Sequence, residues 1–171
     1  MAFTSVANNP ANTLLPYYPS LSNQLTELYA QCDPTNGNYF VATGRDLVTF
    51  LAVPAANAPT YNAANTYTVG QVVNLSGTAY IAVASVPLAT PPPNATYWAV
   101  YAGPSTVTVY SAPDQCTGRT ANVVDYPVPV FDTTTESVEF LVLPSSVFTQ
   151  TNGQVQFQAS SNLVYVYVRS L

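Results

Sequence analysis

The chain has 171 residues, enough for one domain or a domain with a small insert. Its net charge is −5 and only 6 % of its residues are charged, where about 25 % is ordinary; three Arg, no Lys and no His leave nothing to neutralise a phosphate backbone or to serve a Ser-His-Asp system. Two Cys without His make no zinc site, and there is no run of 18 apolar residues to cross a membrane.

Solubility must therefore come from Ser, Thr, Asn and Gln. Such a surface strips few ions of water when another protein docks on it. It suits a secreted β-protein with a hydroxyl-rich surface equally well. No cofactor and no metal is expected. Cys32 and Cys116 read as reduced and buried more readily than as a bridge.

Residues 1–19 read as an extended arm with three Pro. Leu14, Tyr17 and Tyr18 on it are candidates for contact with a partner, or with the chain's own body. The arm lacks the basic n-region and continuous apolar core of a signal peptide, so the expectation is a product kept inside a cell or carried out in a particle. Ser20–Gln31 reads as a short helix, with Leu21, Leu25, Leu28 and Tyr29 on one face. CDPTNG is a turn cluster.

Tyr39–Val41 and Asp46–Val53 read as strands. The second is apolar on both faces, which suits a strand between two layers or beside a partner. Residues 58–103 then interrupt it. In that stretch Thr68–Leu75 and Thr78–Ala84 read as a hairpin turning at Ser76–Gly77, and Tyr97–Tyr101 as a third strand after a Pro-rich loop.

Beyond Gly103–Pro104, strands are expected at Thr106–Tyr110, Val123–Val130, Ser137–Leu143, Gln154–Ala159 and Leu163–Val168. Pro127 and Pro129 send the second of these to a sheet edge. In the third, Val138, Phe140 and Val142 share a face. The last carries Val164, Val166 and Val168 on one face and Leu163, Tyr165 and Tyr167 on the other, so Tyr165 and Tyr167 suggest contact beyond the strand's own core.

The resulting expectation is an all-β fold: an antiparallel, jelly-roll-like β-sandwich with a small three-stranded β module inserted in one loop, plus an N-terminal arm and short helix. Its parts are residues 1–35, a discontinuous body of 36–57 and 104–171, and an insert of 58–103 held out as a knob, whose deletion should leave binding to a particle intact.

Chemistry offers little. Asp132, Glu136 and Glu139 are the one acidic cluster, in a Thr-rich loop that reads as a solvated rim, and no enzyme is expected. Tyr61, Tyr67, Tyr80, Tyr97, Trp98 and Tyr101 could stack on pyranose rings, or could fill the thin core of the insert. Arg45 and Arg119 could pair with carboxylates of a neighbouring subunit, or internally with the surroundings of Asp46 and with Asp114.

The body segments Asn36–Arg45, Asp114–Val130 and Asn152–Val168, over roughly ninety residues, resemble the small head decoration (cement) proteins of tailed bacteriophages. They carry an N-G-N-x-F…G-R strand pair, a turn with Asp, Gly and Arg before P-V-P-V, where the family has a V-x-V-P strand, and an N-G-x-V-x-F…V-x-V-x-V hairpin. That resemblance implies a virion protein on the capsid exterior, made in the host cytoplasm. It would bind the major capsid protein, with a homo-oligomer (trimer before dimer) as its form.

The insert is similar to the small chitin-binding-type carbohydrate modules of chitinases. Tyr61, Tyr67–Val73, Gly77–Tyr80, Pro91–Pro93 and Trp98 follow their pattern in order, with Tyr61 where Trp is usual. This implies contact with a host surface glycan. The alternative is a glycan-binding protein with no capsid role.

Overall fold

A computed structural model gives the structure of the chain; it describes residues 28–41, 46–110, 123–130, 139–148, 150–151 and 154–170. The strands among them are β1 (Leu28–Gln31), β2 (Asn38–Val41), β3 (Asp46–Ala52), β4 (Val72–Leu75), β5 (Thr78–Ala82), β6 (Trp98–Val100), β7 (Thr106–Tyr110), β8 (Val123–Pro127), β9 (Leu141–Pro144), β10 (Gln150–Thr151), β11 (Gln154–Ala159) and β12 (Val164–Ser170).

Two sheets form the body. Sheet A runs β1-β12-β3-β9. In sheet B, Phe157 of β11 faces Asn38 of β2 and Val109 of β7, so β2 and β7 flank β11 and β8 closes the far edge. The short β10 continues the β7 side. All named pairings are antiparallel, and the all-β sandwich expected of the sequence is what the chain forms.

Period-two alternation decides what lies between the sheets. Val48, Phe50, Val164, Val166 and Val168 from sheet A meet Val107, Val109, Val155 and Phe157 from sheet B in one core. Each such side chain, fully buried, is worth roughly 1.5–3 kcal/mol over an exposed one. Phe50 and Phe157 meet edge to face at 5.1 Å, and Phe148 closes the group at 6.4 and 6.3 Å. β8, with its proline, sits at a sheet edge as expected.

Four details depart from the sequence reading. Leu28–Gln31 is strand and not the end of a helix, because it pairs with β12; the rest of that stretch, with the arm, lies outside the described residues. β4 begins at Val72, since Gly70 turns at φ +84°. β9 begins only at Leu141, with Glu139 and Phe140 outside it; Leu141 and Leu143 pack on the core, while Val142 is 46 % exposed. Finally, the insert is seated on the body rather than held out from it.

That seat is visible in β3 itself. Its burial alternates up to Thr49, then Phe50, Leu51 and Ala52 are all buried. From Leu51 onward a third sheet, β4-β5-β6, covers the outer face of sheet A. Val72, Ala79, Ile81 and Tyr101 of the insert close on Leu51, Val53, Leu163, Tyr165 and Tyr167 of the body. The molecule is thus a stack of three sheets, and β12 is covered on both faces.

Candidate functional site at the inserted module

The insert sheet has two faces with different duties. Its hairpin turns through Ser76 and Gly77, both at positive φ (53° and 84°), the geometry that matches strand twist. The Asn74 side chain accepts a bond from the Gly77 N–H at 3.0 Å. Val72, Ala79 and Ile81 then point to the body, and Val73, Ala82 and Trp98 point away into a second core closed by Tyr67 and Val86.

Three of the candidate rings form this second core. Tyr67 and Trp98 meet edge to face at 5.3 Å, Tyr61 stacks on Tyr67 at 5.7 Å, and Tyr61 lies 6.2 Å from Trp98. Their polar atoms tie down the loops. Trp98 Nε1–H donates to the Thr90 carbonyl at 2.9 Å. The Tyr67 hydroxyl donates to the Asn62 carbonyl at 3.0 Å and accepts from the Asn62 N–H at 2.7 Å. Among the described residues the Tyr61 hydroxyl is buried without a hydrogen-bond partner, which costs about 1–3 kcal/mol.

With Trp98 4 % and Tyr67 9 % exposed, neither can offer a ring face to a sugar. Tyr101 is also engaged. Its hydroxyl bonds Ser105 Oγ at 2.5 Å, and Ser105 bonds Ser161 at 2.8 Å, a chain of hydroxyls under the insert. Tyr80 and Tyr97 remain half-buried at the margin of the aromatic core. Tyr80 faces Val100 across the strands, and Val100 is 68 % exposed.

The seam between insert and body carries residues that sequence reasoning did not single out. Asn162 accepts from the Val72 N–H at 2.9 Å through its side chain and donates its own N–H to the Gly70 carbonyl at 3.1 Å. Thr35 Oγ1–H donates to the Val69 carbonyl at 3.0 Å. Gly70 lies so close to Pro34 that a Cβ would stand 2.3 Å from the proline Cβ. The one sequence signal was that Asp33–Gly37 and Ser160–Asn162 are turn clusters; nothing local announced that they receive the insert.

Asp33 holds the first of those turns. Burial works against its carboxylate, but bonds from the Asn36 side chain and from the Asn36 and Thr35 N–H groups outweigh it and hold its pKa below the usual value. Next to it Cys32 is a buried free thiol whose pKa is pushed up by burial and then by Asp33, so it stays protonated and inert. Cys116 lies outside the described residues.

A cavity of about 210 Å³ opens at the seam, among Thr60, Asn65, Thr66, Gln71, Asn162 and the edge of Tyr67. It is neutral, and smaller than the roughly 300 Å³ at which ligand pockets begin. Among the described residues no three of His, Cys, Asp and Glu gather to hold a metal.

The proposed contact residues fall in two groups. Leu14, Tyr17, Tyr18, Arg45 and Arg119 lie outside the described residues. Tyr165 and Tyr167 were expected to be open to a partner; they are 6 % and 5 % exposed, because the insert itself covers them. Burial, and then Tyr165, push the pKa of Tyr167 up. Of the acidic cluster, Glu139 is exposed and the other two members lie outside the described residues.

Comparison with known proteins gives no match: no family model, no curated protein and no solved structure matches this chain.

Proposed function

We propose that the chain is a structural virion protein that binds the outer surface of a phage capsid and stabilises the shell. One observation supports this most. On a chain of which 6 % is charged, the β9 edge of sheet A, beyond which no described strand pairs, exposes Val130 and Val142, each 46 %. Val142 pairs with Thr49 and Val130 with Ala52, so both lie beside the same side of β3, about 10 Å apart along it.

An edge strand with bare valines invites a second chain, and few ions need to shed water there. Apolar area closed across shell subunits stabilises the assembled shell by mass action. The test is co-sedimentation with phage shells stripped of decoration. Saturable binding, weakened about ten-fold by Val142→Asp, is expected; a wild-type chain that stays in the supernatant overturns the reading.

A second reading, a glycan contact through the insert, is favoured by the half-buried Tyr80 beside the exposed Val100. It no longer has Trp98 or Tyr67 to draw on. Retention on chitin or on host cell-wall glycan, lost in Tyr80→Ala, would carry it.

A further inference from the structure

The insert sheet covers the outer face of sheet A around Leu51, Tyr165 and Tyr167, and among the described residues no sheet covers the outer face of sheet B. Val107, Val109, Val155 and Phe157 point inward, so alternation sets Thr108, Tyr110, Gln156 and Gln158 outward. Tyr39 is directly opposite Gln156. Continuing the β7–β11 register sets Tyr110 on the other side of Gln156, and Val123 lies beyond Tyr110. One straight row therefore crosses four strands: Tyr39, Gln156, Tyr110, Val123. Tyr39 is 49 % and Val123 60 % exposed.

The two tyrosines are two strand spacings apart, about 10 Å, with a carboxamide between them. Tyr110 does not stand upright. Gln158 pairs with Thr108, two residues back along β7, and the Tyr110 hydroxyl reaches its Oε1 at a long 3.5 Å. That diagonal is about 7–8 Å, so the ring lies low along the sheet. Gln158 is itself anchored, donating Nε2–H to the Pro34 carbonyl at 2.8 Å. The only charge on this face among the described residues, Asp125, accepts from Thr108 Oγ1–H at 2.6 Å.

We propose that this row binds an extended, neutral, β-linked polysaccharide. Rings about one disaccharide repeat apart can each take the apolar face of a sugar, and Gln156 between them can bond the hydroxyls of the linking unit. The face is flat, which suits a ribbon-like chain rather than a single sugar. The centre of a protein interface is its most apolar part, and at the centre of this row stands the Gln156 amide; a nucleic acid would ask for cations, and the described residues of the face supply none. The site is separate from the insert and from the valine edge of sheet A, so it stands or falls independently of the capsid reading.

Isothermal titration of the full chain with cellohexaose and with chitohexaose tests it. Binding of at least one hexaose is expected. It should weaken about ten-fold or more in Tyr39→Ala and in Tyr110→Leu, the loss of one stacked ring, with the melting temperature kept in Tyr39→Ala and binding unchanged in Tyr80→Ala. Gln156→Ala, which removes the amide and no ring, should also weaken it. The proposal is overturned if neither hexaose binds at millimolar concentration. It is equally overturned if Tyr80→Ala abolishes binding while the row variants retain it. If the row variants lose shell co-sedimentation and no hexaose binds, the face belongs to a protein instead.

Discussion

The body and the insert solve the same problem with different side chains. Between sheets A and B the core is aliphatic and phenylalanine, closed by two sheets that face each other. On the face turned away from the body, the insert's one small sheet has no second sheet among the described residues to close on. It fills the gap with Tyr67, Trp98 and part of Tyr61, rings large enough to span from sheet to loop. Their hydroxyl and indole groups then hold the loops by their backbone. A small region thus uses amphipathic rings as both filler and fastener. The aromatic pattern that reads as a sugar platform is, for these rings, internal architecture.

The largest test of this contrast is removal of residues 58–103 with the flanking chain joined. An independent insert would leave a monomeric body. The seat of Leu51, Leu163, Tyr165 and Tyr167 would instead be bared to water, so aggregation is expected on size-exclusion chromatography. A soluble monomer with an unchanged circular dichroism spectrum would break the comparison.

A finer test uses two glycines with the same φ of +84°, Gly70 and Gly77. Alanine at either adds backbone strain of about 1–3 kcal/mol. At Gly77 the new methyl meets nothing within 4 Å, whereas at Gly70 it strikes Pro34. Gly70→Ala should therefore cost roughly 3 kcal/mol and Gly77→Ala about 1, measured by urea denaturation. Equal costs would mean that the seam yields freely.

The smallest effect is one of pH. The folded-state pKa of Asp33 is depressed, so its contribution to stability is complete above the unfolded value of about 3.9 and is lost as pH falls through the folded value. The wild type should lose stability below about pH 4, and Asp33→Asn should lose less over that window while starting lower at neutral pH. Thermal melts at stepped pH read both.

Much of the body was legible because alternation is a local property. Val164, Val166 and Val168, or Val107 and Val109, declare their inward face without knowledge of the partner sheet. The double-sided apolar character of β3 was equally plain, but whether an outside partner or the chain's own insert covered Leu51 was not. Tyr165 and Tyr167 misled for the same reason: a buried stripe and a binding stripe have one spelling. The last four residues of the helix expected to end at Gln31 are strand because pairing with β12, more than a hundred residues away, overrode a weak local preference. The row on sheet B was invisible in the sequence, since Tyr39, Gln156 and Tyr110 are neighbours only through the register of three separate strands.

The central position of β12 has a consequence for how the molecule is made. It joins β1 to β3 and lies between the Val-rich core and the underside of the insert, yet every other described strand leaves the ribosome before it. Until it emerges, β1 has no neighbour in its sheet among the described strands and the insert has no Tyr165 and Tyr167 to rest on. Synthesis that stops short of β12 leaves strands waiting with their edges bare, the exposure that favours aggregation.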